Sequence, residues 1–178
     1  QDICFVPDGK YSNLVRKLSP GSVEKGDIYH VDGSYLGEHN GIIDYTIGQR
    51  KGIRIGGRKN IPDNEAKLYV ISIDNKNNKI VVGPKRYLSC DEFSINECNW
   101  ITDSDKNKFD ALVKLRNTAK PVQVKIQTDL EKNSASVMLK IPEFGISPGQ
   151  AAVFYDLEDK NRVLGGGWIK STKNYLNG

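Results

Sequence analysis

The stretch PVQVKIQTDLEKNSASVMLKI, residues 121–141, contains two runs in which apolar and polar side chains alternate. Alternation with a period of two places one set of side chains on each face of a β-strand. VQVKIQ and SVMLKI therefore predict two strands, each with one face in a core and the other in solvent. The segment between them, DLEKN at 129–133, is polar and predicts a turn.

Strand-like runs also occur on both sides of this stretch, from Lys67 onward, and no helical period appears among them. Polar turns such as NKNN at 75–78 and LEDKN at 157–161 separate them at intervals of roughly 8 to 12 residues, which is typical of an antiparallel sandwich or barrel. We predict a roughly six-stranded antiparallel β-barrel over 67–171, followed by a tail at 172–178. The other predicted strands are KLYVISID, KIVVG, EFSINECNW, DALVKLRN, QAAVFYD and RVLGGGWIK.

The first 64 residues have a different pattern. YSNLVRKL at 11–18 places its apolar residues on one helical face and predicts a short helix. Asp32-Gly33 lies between two β-rich pieces and favours a tight hairpin turn. Proline and turn-forming residues predict a linker at 61–66. The expected fold class is thus mainly β with a small α+β part, in which a small central domain over 1–64 precedes the barrel.

Composition narrows the class of protein. With 38% hydrophobic and 27% charged residues, and without an apolar run near the ~18 residues that span a bilayer, the sequence predicts a soluble protein with no membrane partner. A net charge of +4 permits a nucleic-acid partner without establishing one. Three cysteines without a C-x-x-C pair, and two histidines without zinc spacing, favour a reducing cytoplasm and no metal. The opening residues QDICFV resemble the middle of a longer protein.

The stretch YTIGQRKGIRIGGRKN, Tyr45 to Asn60, has five basic side chains, four glycines and no acid. A basic run is usually only a solvated surface. Here, however, the glycines predict a flexible segment whose backbone can approach a bulky anion, and the guanidinium group of arginine can donate two hydrogen bonds to a pair of phosphate oxygens. We therefore predict phosphate-backbone binding by Arg50, Lys51 and Arg54. The G-x-x-x-x-G-K-[ST] loop is absent, so a polynucleotide is favoured over a nucleoside triphosphate.

Few other residues indicate chemistry. Cys4 lies in an apolar setting typical of a buried thiol, and Cys90 and Cys98 are interpreted as packing residues. A histidine such as His39, in GEHNG, can act as a general base. In a glycine-flanked turn, however, a histidine more often forms hydrogen bonds with the backbone. The triglycine in LGGGW, 164–168, predicts a bulge or a close backbone contact. The residues alone thus indicate an RNA-binding barrel preceded by a small basic module, and they do not establish catalysis.

Six motifs, in order along the chain from Gln1 to about Lys170, together resemble one family, the tRNA-specific 2-thiouridylases. The combination of YTIGQRKG, PGQ and LGGG is specific. The motifs are ICF at 3–5, GEHNG at 37–41, YTIGQRKG at 45–52, KLR at 114–116, PGQAAVFY at 148–155 and VLGGGWI at 163–169.

The resemblance implies an enzyme whose N-terminal domain uses ATP to adenylate the C2 oxygen of the wobble uridine of tRNA, after which sulfur replaces that oxygen. The cysteine of ICF, here Cys4, would carry the sulfur as a persulfide received from a sulfur-donor protein. A second cysteine in the N-terminal domain would complete the exchange through a disulfide. The family's S-G-G-x-D-S loop is absent from this sequence. We therefore expect a C-terminal portion that binds no cofactor and is inactive by itself.

By motif match, the resemblance also implies that Arg116, Asn117 and Gln150 contact tRNA. The position of Asn117 is often aromatic in the family, so this sequence departs from the family pattern there. The family's tRNA contact is therefore carried over more directly to Arg116 than to Asn117. The main alternative is a non-catalytic RNA-binding β-barrel, an accessory domain in which Cys4 is only buried. A weaker third interpretation is a structural interaction domain without RNA.

Overall fold

The structure is a computed structural model that describes residues 24–53, 55, 66–101, 107–116 and 120–174. The chain divides into two compact units, Gln1–Arg86 and Tyr87–Gly178. The helix predicted at 11–18 lies outside the described residues. None of the described helices is long and apolar enough to span a membrane.

The first unit contains a four-stranded sheet. Its strands are β1 (Gly26–His30), β2 (Tyr35–His39), β3 (Tyr69–Asp74) and β4 (Lys79–Gly83), in the spatial order β2-β1-β4-β3. The β1–β2 hairpin predicted at Asp32-Gly33 is confirmed: Gly33 has a φ of 85°, and its N–H donates to the His30 carbonyl over 2.8 Å. One short 3-10 helix, Ile42–Asp44, follows β2, and another, Lys85–Leu88, follows β4.

The strands β3 and β4 correspond to KLYVISID and KIVVG, which the sequence analysis assigned to the barrel. They belong instead to the small sheet, because β4 pairs in parallel with β1 and places Ile28 beside Ile80. These two residues share one apolar core with Val70 and Val82. The division between the units thus falls after Arg86, whereas the sequence predicted it near residues 61–66. Alternation identifies a strand, but it does not identify the strand's partner.

The second unit is a closed barrel of six antiparallel strands in the spatial order β10-β5-β8-β7-β6-β9. This confirms the predicted fold class of a roughly six-stranded antiparallel barrel. The last strand continues to Asn174, into the segment that the sequence analysis assigned to a tail. The strands are β5 (Ser89–Trp100), β6 (Lys108–Lys114), β7 (Val122–Asp129), β8 (Ser134–Phe144), β9 (Ala151–Tyr155) and β10 (Val163–Asn174).

The barrel core forms as the alternation in β7 and β8 predicts. Val124 of β7 and Val137 of β8 are fully buried, whereas their neighbours Lys125 and Met138 are exposed. Elsewhere in the core, the rings of Trp100 and Phe154 stack with centroids 5.5 Å apart. Such apolar burial, at about 25 cal/mol per Å², is the main source of the barrel's stability.

The triglycine of β10 allows this strand to pair closely with both of its neighbours. A Cβ on Gly165 would lie 2.5 Å from the Asn99 carbonyl oxygen, and one on Gly166 would lie 2.7 Å from that of Ala152. The register of β10 also shifts here against both β5 and β9. The predicted bulge and close backbone contact are therefore confirmed, and both contribute to closing the barrel.

Candidate functional site

A cavity of about 220 Å³ lies at one end of the barrel. The strands β6 and β8 end there, and β7 and β9 begin there, because neighbouring strands in the barrel are antiparallel. Two residues that the resemblance assigned to tRNA contact, Arg116 and Gln150, line this one cavity although they come from separate motifs. The lining comprises Val113, Leu115, Arg116, Lys120, Val122, Glu143, Phe144, Ile146 and Gln150.

Arg116 follows β6, and its guanidinium is held at the end of β8. One terminal nitrogen, Nη2, donates to the carbonyl oxygens of both Phe144, at 3.2 Å, and Gly145, at 2.6 Å. A guanidinium has five N–H donors, so these two bonds fix its position and leave donors for a ligand. Its neighbour Asn117 lies outside the described residues.

Gln150 lies in the loop that enters β9. Its side-chain oxygen accepts a hydrogen bond from the Ser147 N–H over 3.3 Å. Its backbone carbonyl accepts from the N–H of Ile169 over 2.8 Å, which extends the β9–β10 pairing by one residue. These bonds fix Gln150 at the edge of the cavity, and its side-chain amide group can serve as a donor to a ligand.

Three further residues complete the chemistry of the cavity. Lys120 adds a second cation to the lining beside Arg116, Glu143 adds a carboxylate, and Phe144 adds an aromatic residue that is 42% exposed. An aromatic ring and a guanidinium plane are surfaces on which unpaired bases stack, and the cations suit phosphate. Sequence reasoning did not identify Lys120, Glu143 or Phe144, because none of them belongs to a motif and only the barrel closure brings them together.

The predicted phosphate-binding residues Arg50 and Lys51 are both exposed and lie in the first unit. Their segment was interpreted from its glycines as flexible, but its first part is a well-fixed turn. The Gln49 side chain accepts from Thr46 N–H and donates to the Lys51 carbonyl, each over 2.9 Å. Backbone bonds to Val70 anchor the same turn to the edge of β3. Arg50 and Lys51 are thus presented on a rigid support, while Arg54 lies outside the described residues.

His39 is a structural residue. Its side chain is buried, at 1% exposure, and its Nδ1 accepts a hydrogen bond from the Gly41 N–H over 3.1 Å. The other ring nitrogen lies 3.2 Å from the Asn78 carbonyl oxygen, so it carries the proton and donates to that oxygen. Both ring nitrogens form hydrogen bonds with the backbone, as the sequence analysis favoured. His39 is therefore not a general base in this arrangement.

The two described cysteines are free thiols in packed surroundings. Cys90 is buried, and Cys98 packs against the barrel core. Burial raises the pKa of Cys90, and it raises the pKa of Cys98 to about 11. Because the thiolate is the reactive form, neither residue is suited to carry sulfur at neutral pH. Cys4 lies outside the described residues.

We expect Cys90→Ala and Cys98→Ala to preserve the sulfur transfer that the resemblance implies, and to lower the free energy of unfolding by about 1 to 2 kcal/mol each. We also expect Cys98 to be alkylated slowly at pH 8 and faster as the pH rises toward 11. Alkylation mapped by mass spectrometry at several pH values, together with activity assays, measures both effects. A stable Cys98→Ala variant without sulfur transfer would contradict this assignment.

Two family models match the chain, and together they cover most of it. Residues 16–84 match the tRNA methyl transferase PRC-barrel domain, and residues 90–169 match the aminomethyltransferase beta-barrel domain. The gap between the two matches coincides with the division between the two units after Arg86.

Several curated relatives bear one name, tRNA-specific 2-thiouridylase MnmA. That of Sphingopyxis alaskensis is 46% identical over 172 residues, which are 97% of this chain and 41% of the relative. That of Rickettsia canadensis is 48% identical over 171 residues, which are 95% of this chain and 44% of the relative. The chain thus spans less than half the length of these relatives. With both family models and relatives of this identity matching nearly its whole length, the chain belongs to the tRNA-specific 2-thiouridylase family.

Proposed function

We propose that this chain supplies the tRNA-binding surfaces and the sulfur-carrying cysteine of an enzyme that installs sulfur at C2 of the wobble uridine of tRNA. The family membership supports the reaction class. The observation that carries the binding role is that Arg116 and Gln150, identified from separate motifs, line one cavity with Lys120 and Phe144. This combination of cations, an amide and an exposed ring suits single-stranded RNA.

In the proposed reaction, Cys4 carries a terminal sulfur received from a persulfide donor protein. That sulfur attacks C2 of the activated uridine, and the C2 oxygen leaves with AMP. A second cysteine thiolate, outside this chain, then attacks the Cys4 sulfur. The bond between the two sulfurs of the persulfide breaks, the 2-thiouridine is released, and a disulfide forms that an external reductant must reopen. Cysteine suits this role because it can accept a terminal sulfur and yield it again.

ATP supplies the adenylyl group that activates the C2 oxygen. Its binding is assigned to a part of the enzyme other than this chain, because the sequence contains neither the family's S-G-G-x-D-S loop nor a Walker loop. A cycle of persulfide and disulfide also needs reduced thiols at rest, which is consistent with action in the cytoplasm.

The cavity is proposed to hold an unpaired stretch of tRNA. A base would stack on Phe144 or on the guanidinium of Arg116, whose position is fixed by the two carbonyls at the end of β8. Lys120 would contact the adjoining phosphate, and the amide of Gln150 would bond a base edge. Contacts of this kind distinguish one anticodon loop from another, whereas contacts to phosphate alone do not.

We expect Arg116→Ala, in the full-length enzyme, to weaken binding of cognate tRNA roughly tenfold, the loss typical of one charge-assisted hydrogen bond. Non-cognate tRNA should lose less affinity. Fluorescence titration with both tRNAs measures the difference.

Lys132→Ala is the matched control for this experiment, since Lys132 is an exposed cation in the β7–β8 turn at the opposite end of the barrel. It should bind both tRNAs as the unmodified enzyme does. Equal losses for the two tRNAs in Arg116→Ala would show that Arg116 contacts phosphate only. An unchanged affinity in Arg116→Ala would show that the cavity does not contact tRNA.

A further inference from the structure

Gly145, which follows β8 directly, is the residue against which the Arg116 guanidinium rests. It is buried, its φ is 72°, and its N–H donates to the Leu88 carbonyl over 3.1 Å. That bond fixes the Gly145 backbone to the residue that precedes β5. The Gly145 carbonyl is therefore held in place to accept the 2.6 Å bond from Arg116 Nη2.

The absence of a side chain at Gly145 is what permits this contact. A Cβ at Gly145 would lie 2.7 Å from Nη2 of Arg116 and 3.9 Å from Cζ. Real Cβ atoms do not approach a nitrogen so closely, so one partner would have to move. The backbone of Gly145 is bonded, whereas the guanidinium is the far end of a flexible side chain, so the guanidinium would be displaced.

We propose that Gly145 is a positioning residue that sets the orientation of the Arg116 guanidinium in the cavity and thereby the enzyme's affinity for tRNA. The proposal rests on the proposed function, in which Arg116 contacts tRNA. It assigns to Gly145 two separate actions on Arg116: its carbonyl accepts a hydrogen bond, and its missing Cβ leaves the space that the guanidinium fills. No contact between Gly145 and tRNA is required.

The test is a double-mutant cycle on tRNA binding by the full-length enzyme. Gly145→Ala should weaken cognate tRNA severalfold in the unmodified enzyme, and it should cause no further loss in the Arg116→Ala background. A loss of equal size in both backgrounds would show that Gly145 acts through the fold, and it would overturn the proposal. So would an unchanged affinity in the Gly145→Ala single variant, if Arg116→Ala itself weakens binding.

Two further variants separate steric displacement from backbone strain. Gly33→Ala is the control, because Gly33 has a φ of 85° and a Cβ there would meet nothing within 4 Å. It introduces similar strain in the first unit and should leave tRNA binding unchanged. Gly145→Asn introduces a Cβ with less strain, since asparagine tolerates positive φ better than alanine. It should weaken binding as much as Gly145→Ala, and normal binding by Gly145→Asn would overturn the proposal.

A readout without tRNA distinguishes failure of this proposal from failure of the proposed function. In nitrogen-15 NMR spectra, rotation of the Arg116 guanidinium should be hindered while Nη2 bonds two carbonyls, and Gly145→Ala should release it. Unaltered Arg116 signals in Gly145→Ala would overturn the positioning role. If the signals change but Arg116→Ala binds tRNA normally, Gly145 positions Arg116 as inferred, and the assignment of Arg116 to tRNA contact fails instead.

Discussion

We expect Cys4→Ser to abolish 2-thiouridine formation by the full-length enzyme while tRNA binding and uridine adenylation stay nearly unchanged. Only the sulfur-carrying step needs a thiol, because a hydroxyl neither accepts a terminal sulfur nor forms a disulfide. Mass spectrometry of the nucleosides from modified tRNA measures the product, and release of pyrophosphate measures the adenylation. If Cys4→Ser still formed 2-thiouridine, Cys4 would not be the residue that carries the sulfur.

The matched control is Cys98→Ser, which changes a thiol of raised pKa to a hydroxyl and should remain active. Alkylation at neutral pH adds an independent comparison. Cys4 in the full-length enzyme should react rapidly and Cys98 slowly, because the rate follows the thiolate fraction. An inert Cys4 would instead favour the alternative, a non-catalytic RNA-binding barrel.

The second large effect is expected from replacing Arg50, Lys51 and Arg54 together by alanine. Each phosphate contact contributes about 0.7 to 0.9 to the slope of log K against log salt concentration, so the triple variant should flatten that slope by roughly 2. The affinity loss should be similar for cognate and non-cognate tRNA, since phosphate contacts do not read bases. Titrations at several salt concentrations measure both quantities.

The turn should survive these substitutions, because it is fixed by Gln49 and by backbone bonds to Val70 rather than by the exposed cations. A control with the same change of charge removes three exposed lysines from hairpin turns, Lys76, Lys132 and Lys160, and should keep the original slope. If the slope of the triple variant is also unchanged, the Tyr45 to Asn60 stretch is only a solvated surface.

The sequence predicts the barrel well because each of its strands carries its own pattern. Val124 and Val137 alternate with exposed neighbours, and this alternation is a local property that one strand displays by itself. The assignment of β3 and β4 to the barrel was wrong for a related reason. Their patterns are equally clear, but their membership of the small sheet depends on pairing with β1, which lies far away in the sequence.

The candidate site was only partly predictable. Family motifs identified Arg116 and Gln150, but the cavity that joins them exists only because four strand ends meet at one end of a closed barrel. Nothing in the sequence around Phe144 indicates that it lines a cavity, because an apolar residue at the end of a strand is usually part of the core. The turn at Thr46–Gly52 was interpreted as flexible because glycines are visible in a sequence, whereas the hydrogen bonds of Gln49 that fix the turn are not.

The parallel pairing of β1 with β4 has a consequence for how the first unit folds as it leaves the ribosome. The paired residues Asp27 and Lys79 are about fifty residues apart, so this contact closes a long loop at a substantial cost in chain entropy. Until β4 has been synthesised, β1 and β2 form only an isolated hairpin, which is marginally stable in water. The barrel has the same property, because β6–β7 and β7–β8 pair near neighbours in sequence, whereas its closure requires β10 to pair with the distant β5. Each unit should therefore acquire its structure only after its last pairing strand has been synthesised, β4 for the small sheet and β10 for the barrel.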